Sequence, residues 1–227
     1  LTRAAMSDLL GGVDPRGHAI ADATDAALLG ALAIAGREDA ERWGAERARV
    51  AFVAMGRYGG RECSYASDAD VIALHEAVGG ASDSEAAASA TAIVNRVKKL
   101  LGSATSQLGI VVDLDLRPEG KNGPMSRTIA SHEEYAQRWA STWERQAAVR
   151  ARPIGDGELA QAARSLFESM AYRDVSEAEV RDIRLLKARM ENVRLPRGTE
   201  PARHVKLGPG GLSDVEWTIQ LIQMRHG

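Results

Sequence analysis

Asp68-Ala69-Asp70 constrains this chain more than any other feature. It heads the apolar run Val71-Ile72-Ala73-Leu74 and follows the glycine-rich segment Gly56-Arg57-Tyr58-Gly59-Gly60. Side chains along a strand alternate with period two, so Asp68 and Asp70 project the same way, close enough to share a divalent cation. A second short apolar run, Arg49 to Met55, ends in those glycines, and both runs read as central strands. Strand, glycine loop, paired carboxylates and strand together suit metal-assisted chemistry on a nucleoside triphosphate.

The rest of the pattern builds an α/β framework around this unit. After the turn signal Asp14-Pro15, the alanine- and leucine-rich stretch from His18 to Ile34 predicts a helix that packs on the sheet. Ser82-Asp83-Ser84-Glu85 matches a capping box, and Ala86, Ala90, Ile93, Val97 and Leu101 follow at helical spacing until Gly102. From Gly109 to Pro118, Ile110, Val112, Leu114 and Leu116 alternate with Asp113, Asp115 and Arg117, which predicts a third strand.

Beyond a soft boundary at 123–128 the character becomes helical. Ser131-His132-Glu133-Glu134 and Ser176-Glu177-Ala178-Glu179 are two more capping boxes. Leu159, Ala163, Leu166, Phe167 and Met170 form one apolar stripe, and Val180, Ile183, Leu186, Met190 and Val193 another, broken by Leu195-Pro196-Arg197-Gly198. A last helix is expected from Ser213, with Glu216 as capping partner and Val215, Ile219 and Ile222 buried. The expected fold is α/β (α+β). A mixed α/β part with a modest sheet occupies residues 1–125, and a helical half occupies 126–227.

Composition supports this reading and excludes several function classes. Aromatics make up only 4% while alanine is abundant, which favours close-packed helices over a β-sandwich. The net charge of −2 offers no general attraction for nucleic acid or an anionic membrane. A single cysteine, Cys63, rules out an intrachain disulfide framework and a cysteine-based zinc site, and fits a reducing cytoplasm. No stretch is expected to reach the ~18 apolar residues that span a bilayer, nor does Leu1-Thr2-Arg3 begin a signal peptide. A soluble, cytoplasmic protein is expected. Its start at Leu1 and its stop just after a helical run suggest a piece of a longer polypeptide.

Each chemical motif has a plain structural reading beside the functional one. Gly56, Gly59 and Gly60 let backbone amides approach a phosphate, with Arg57 adding positive charge, or they simply make a tight turn. Asp68 and Asp70 are a solvated strand end, or they join Asp113 and Asp115 in a carboxylate cluster that needs cations for neutrality. Oxygen-only ligation suits Mg²⁺ or Mn²⁺. Arg117 and Lys121 balance triphosphate charge or belong to a surface loop. Trp139 and Trp143, four apart on a helix predicted through Arg152, read as core, with Arg150 and Arg152 either solvated or aimed at the nucleotide. Lys206-Leu207-Gly208-Pro209-Gly210-Gly211 runs into a helix N-terminus, where anions are favoured, or merely turns the chain. Arg181, Arg184, Lys187 and Arg189 read as a solvated helix face. The histidines lack metal-ligand spacing.

Five motifs in order closely resemble the glutamine synthetase adenylyltransferase/adenylyl-removing family. They are Met55-Gly-Arg-Tyr-Gly-Gly-Arg-Glu62, Tyr65-Ala-Ser-Asp-Ala-Asp70, Asp113-Leu-Asp-Leu-Arg-Pro-Glu-Gly120, Trp143-Glu-Arg-Gln-Ala147 and Lys206-Leu-Gly-Pro-Gly-Gly-Leu-Ser-Asp214. The resemblance covers nearly the whole chain after about Val50. It implies the nucleotidyltransferase-superfamily fold, a small mixed sheet with flanking helices, and a place in one half of a two-half enzyme. Leu195-Pro-Arg-Gly198 and Gly210-Gly-Leu-Ser-Asp-Val-Glu-Trp217 look more like the C-terminal, adenylylating half of actinobacterial type.

By that resemblance Asp68, Asp70 and Asp113 are the catalytic and metal-binding carboxylates. Gly56, Arg57, Gly59, Gly60, Ser67, Arg117 and Lys206 hold the ATP. Asp115 departs from the pattern, since many members carry arginine there. The implied reaction is AMP transfer from ATP to a tyrosine hydroxyl of glutamine synthetase with release of pyrophosphate, which regulates nitrogen assimilation. A PII-type nitrogen regulatory protein is the implied regulator. The alternatives are removal of AMP by phosphorolysis, giving ADP, and a catalytically silent nucleotide-sensing module. A nucleic-acid substrate is disfavoured by the acidic balance and the lack of a basic, aromatic-interleaved groove.

Overall fold

In the computed structural model the chain is described at residues 16–102, 109–194, 200 and 203–227, with Met6 besides. The Asp14-Pro15 turn and the Leu195–Gly198 break lie outside the described residues. The described chain runs α1 (Arg16–Trp43), β1 (Ala48–Ala54), a single helical turn α2 (Gly56–Gly59), β2 (Ala69–Ala77), α3 (Asp83–Leu101), β3 (Val112–Asp113) and β4 (Ser126–Arg127). Then come α4 (Ile129–Arg138), α5 (Thr142–Ala148), β5 (Arg152–Pro153), α6 (Glu158–Ala171), α7 (Glu177–Arg194) and α8 (Leu212–His226). The fold is the expected small mixed sheet with flanking helices.

Five strands form the sheet in the order β3-β2-β1-β5, with β4 also pairing with β2. The β1–β2 pair is antiparallel, from Ala48 opposite Ala77 to Ala54 opposite Val71. Because side chains alternate, Ala48, Val50, Phe52 and Ala54 of β1 join Ala69, Val71 and Ala73 of β2 in one core with α1 and α3. Ala51, Val53, Ile72 and Leu74 point to the opposite face and are buried as well. The apolar stretches 50–54 and 71–74 are therefore buried on both faces of the sheet, as the runs predict, while Arg49, Asp70, His75 and Glu76 are the polar exceptions. The capping box at Ser82 is present, with Glu85 Oε2 accepting from the Ser82 amide at 2.9 Å.

The chain divides into two compact units, residues 1–139 with 150–166, and residues 140–149 with 167–227. In the first, α1 is longer than expected, continuing nine residues past Ile34. By length and mean hydropathy it is long and apolar enough to cross a bilayer, which corrects the expectation that no stretch would qualify. Its buried residues Ile20, Ala21, Leu28, Ala31 and Ala35 instead face the sheet core. The third strand is also shorter than expected. Only Val112 and Asp113 pair, because the chain turns at Asp115, whose amide donates to Asp113 Oδ1 at 2.6 Å.

Helix α4 starts earlier than the Ser131 box suggests. Thr128 is its N-cap, accepting from the Ser131 amide at 3.2 Å. The predicted helix through Arg152 is two pieces. It stops at Arg138 and restarts at Thr142 behind an overlooked capping box, Ser141 with Glu144, and Arg152 belongs to a strand. Trp139 and Trp143 are exposed rather than core, at 72% and 40%.

Arg145 organises the second unit. It is the largest fully buried side chain, and its guanidinium donates to the carbonyls of Met170 and Arg173, each at 3.0 Å, and to Glu179. It thereby joins α5 to the end of α6 and to the Ser176–Glu179 capping box of α7. Gln146 on the same helix donates to Gln220 of α8 at 2.7 Å. Lys187 is no plain solvated residue, since it pairs with Glu191 and Asp214. The α8 expectation needs correction too. Gly211 is the N-cap, Gly210 N donates to Asp214 Oδ2 at 2.6 Å, and Val215, Ile219 and Ile222 are at least half exposed.

Two outcomes follow from buried charge. Arg145→Met removes one partner of a buried pair and takes the donors from the Met170 and Arg173 carbonyls, so urea unfolding should show a loss of about 3 kcal/mol. Burial, with Arg127 adding to it, pushes the His132 imidazole down to about 4 in the folded chain. The unfolded chain then takes up a proton first. Stability should be intact above about pH 6.5 and fall by about 3 kcal/mol as pH drops toward 4. His132→Gln should flatten that slope in urea titrations.

Candidate active site

Antiparallel pairing brings the end of β1 beside the start of β2, and the Met55 amide donates to the Asp70 carbonyl at 2.9 Å. The glycine segment that follows makes the single turn α2, which opens at Gly56 with φ +54°. A Cβ built on Gly56 would lie 3.1 Å from Asp70 Oδ2, so the loop backbone rests directly against this carboxylate. On the other side of Asp70, parallel pairing sets Asp113 of β3 opposite it in register. Asp68 stands just before β2 and is exposed.

The three acids share an electrostatic environment. Burial first, then the charges of Asp113 and Asp68, push the Asp70 carboxyl up to about 6, against a downward pull from Arg57. Among the described residues Arg57 only partly offsets the burial and the two like charges at Asp70. The acids are not gathered at ligating distance, however: among the described residues no group of three acidic, histidine or cysteine side chains forms a ready metal site. Asp113 meanwhile caps its own turn through the Asp115 amide.

A family model described as glutamate-ammonia ligase adenylyltransferase matches residues 2–166. The chain belongs to this family. It is 45% identical over 227 residues to the bifunctional glutamine synthetase adenylyltransferase/adenylyl-removing enzyme of Streptomyces coelicolor, covering 98% of this chain and 22% of that protein. The Streptomyces avermitilis protein of the same name is 47% identical over the same shares, and that of Mycobacterium marinum is 42% identical over 100% of this chain and 23% of its own length. The chain thus spans less than a quarter of these relatives.

Within this adenylyltransferase family member, the remaining expected site residues sort by what they touch. Arg57 is exposed beside the acids. Gly59 sits where backbone crowds closest, since a Cβ there would meet Arg150 O at 1.9 Å and Ala54 O at 2.6 Å. Gly60 has room, with nothing nearer than 3.5 Å. Ser67 shapes the turn ahead of Asp68, its hydroxyl accepting from the Ser64 amide at 2.8 Å.

Arg117 is buried and engaged with its own loop, donating to the carbonyls of Leu114 at 2.9 Å, Lys121 at 3.2 Å and Gly123 at 3.3 Å. Asp115, exposed, pairs with Lys121 at 3.2 Å. Lys206 lies in the second unit and is exposed, and its carbonyl accepts the Ser213 amide at 3.0 Å. With Leu212 N donating to Val205 O at 2.9 Å, these two first-turn amides of α8 bond the glycine loop that precedes them.

Sequence reasoning missed Asp25 and left Arg152 open between solvent and nucleotide. Neither reading of Arg152 holds, because its guanidinium forks onto Asp25 of α1. Arg150 donates to Glu62 at 2.9 Å. Only Asp22 and Asp25, the two acids within the alanine- and leucine-rich stretch from His18 to Ile34, signal this role in the sequence. The glycines make a sharp contrast for experiment. Gly59→Ala must displace backbone and should lose about 3 kcal/mol or more, whereas Gly60→Ala should stay within about 1 kcal/mol of the parent in denaturant unfolding.

Proposed function

We propose that this chain carries one nucleotidyl-transfer site, which moves AMP from ATP to a tyrosine hydroxyl of glutamine synthetase and releases pyrophosphate. The observation that carries the reading is Asp70, facing Asp113 across paired strands, flanked by Asp68, and resting against the Gly56 backbone. Hard oxygen donors whose like charge Arg57 offsets only in part fit a hard divalent cation, Mg²⁺ or Mn²⁺. When bound, such a cation neutralises triphosphate charge and makes the attacking phenol more acidic. Asp68 and Asp70 would hold it with Asp113, and Asp113 is the base candidate for the phenolic proton. Arg57 and the α2 backbone would receive the phosphates, with Ser67 setting the turn that presents Asp68. Arg117 would serve by shaping the 114–123 loop.

A catalytic portion at residues 1–125 and a helical portion at 126–227 remain part of this proposal. So do a cytoplasmic setting and a PII-type nitrogen regulatory protein acting on the longer polypeptide. The printed names of the relatives include both adenylyl transfer and adenylyl removal, so phosphorolysis of AMP-tyrosine to ADP is the second reading.

Two parallel incubations separate the directions, one with unmodified glutamine synthetase, Mg²⁺ and ATP labelled at the α-phosphate, the other with adenylylated glutamine synthetase and inorganic phosphate. The first should transfer label to protein. ADP release in the second alone would reverse the direction. Asp70→Asn should cut AMP transfer on the order of 100-fold or more with an unchanged circular dichroism spectrum. Undiminished labelling by that variant would sink the site assignment.

A further inference from the structure

The glycine turn α2 is also held by a charged network that the transfer chemistry does not use. Tyr58, 1% exposed, donates its phenolic proton to Asp25 Oδ1 at 2.6 Å. Arg152 grips the same carboxylate with both terminal nitrogens, at 2.7 Å to Oδ2 and 3.0 Å to Oδ1. Its Nε donates to the Gly59 carbonyl at 3.3 Å, and its guanidinium lies 5.4 Å from the centre of the Tyr58 ring. Asp25 comes from α1, Tyr58 from α2 and Arg152 from β5, so three elements distant in sequence meet at one carboxylate.

Helix α1 touches the loop at two further points. Arg61, a non-glycine residue at φ +58°, pairs with Asp22 at 2.7 Å. A Cβ on Gly17 would lie 2.4 Å from the Arg61 carbonyl, so helix and loop backbones are in close contact there. A partly buried ion pair such as this one, with both side chains about one-fifth exposed, adds little net stability. What it adds is direction. The planar fork fixes the carboxylate, the carboxylate fixes the phenol, and Nε fixes the Gly59 carbonyl. Those groups hold the same helical turn whose first residue, Gly56, abuts Asp70.

We propose that Asp25, Tyr58 and Arg152 are positioning residues that keep the glycine loop in its nucleotide-accepting shape against the acid cluster, an inference that rests on the nucleotidyl-transfer reading of the site. Burial followed by the hydrogen bond to Asp25 raises the Tyr58 phenol well above its ordinary value, so it remains a donor. Without the network the loop samples other shapes, and ATP must select the competent one. Apparent affinity then falls with the competent fraction, while the chemistry after binding is unaltered. A rise in KM for ATP at nearly constant kcat is the signature, which a general loss of stability does not produce.

Tyr58→Phe, Asp25→Asn and Asp25→Glu are made in the 227-residue chain. Each is assayed for ATP affinity by equilibrium dialysis, for KM and kcat, and for amide exchange across residues 50–62. Tyr58→Phe should raise KM for ATP about 5- to 10-fold with kcat within about twofold. It should speed exchange at residues 56–62 and leave the β1 amides protected. Asp25→Asn should show a larger effect and Asp25→Glu a partial recovery. If Asp25→Asn does not fold, Tyr58→Phe alone decides.

Unchanged KM and unchanged loop exchange in Tyr58→Phe would overturn the proposal. So would a loss of kcat at constant KM. If the parent chain neither binds ATP nor transfers AMP, the reading of the site and the positioning role fall together. If the parent binds ATP and Tyr58→Phe binds it equally well with the same exchange, only the positioning role falls.

Discussion

The antiparallel register of β1 with β2 is the constraint on which the site depends. It sets the end of one apolar strand beside the start of the other, so the glycine turn leaving β1 must pass the carboxylate entering β2. Gly56 makes that passage possible, because its positive φ and missing side chain allow backbone to lie against Asp70. Parallel pairing with β3 then delivers Asp113 to the far side of the same residue. Two strand pairings and one glycine thus place Asp70 and Asp113 on paired strands, with Asp68 in the segment just before them.

Such a cluster is costly in isolation. Burial and two like charges hold Asp70 near a state that favours its proton, and the exposed Arg57 only partly offsets them. The protein supports the arrangement elsewhere, through apolar cores on both faces of the sheet and through α1, which serves as a core helix and as an anchor for the loop. The second unit relies on a different device. A single buried arginine, Arg145, satisfies the carbonyls of Met170 and Arg173 and a capping glutamate at once.

Much of the fold was legible because local rules and tertiary packing agree. The apolar runs at 49–55 and 71–75 are strands because both faces are covered, and the boxes at Ser82 and Ser176 are satisfied by their own next turn. Where the two levels differ, local pattern misleads. Trp139 and Trp143 have core spacing, yet the helix breaks between them at a Ser141 cap. Val215, Ile219 and Ile222 form an apolar stripe that is at least half exposed. Arg152 follows a helical run but enters a strand, which is why its partner on α1 was not foreseen.

The sequence alone picked out the candidate acids and the glycines that precede them, because residue type and period-two spacing are local properties. It also determined the family, since five ordered motifs are far more specific than any one of them. Only the tertiary structure decided how those acids interact. Asp70 meets Asp113 through a strand pairing that spans more than forty residues, while Asp115, on the same alternating run, turns away to solvent. It also separated the cations, placing Arg57 beside the acids, Arg117 within its own loop and Arg152 on Asp25. Charge at a site depends on three-dimensional distance and burial, and neither quantity is written in the spacing of residues along the chain.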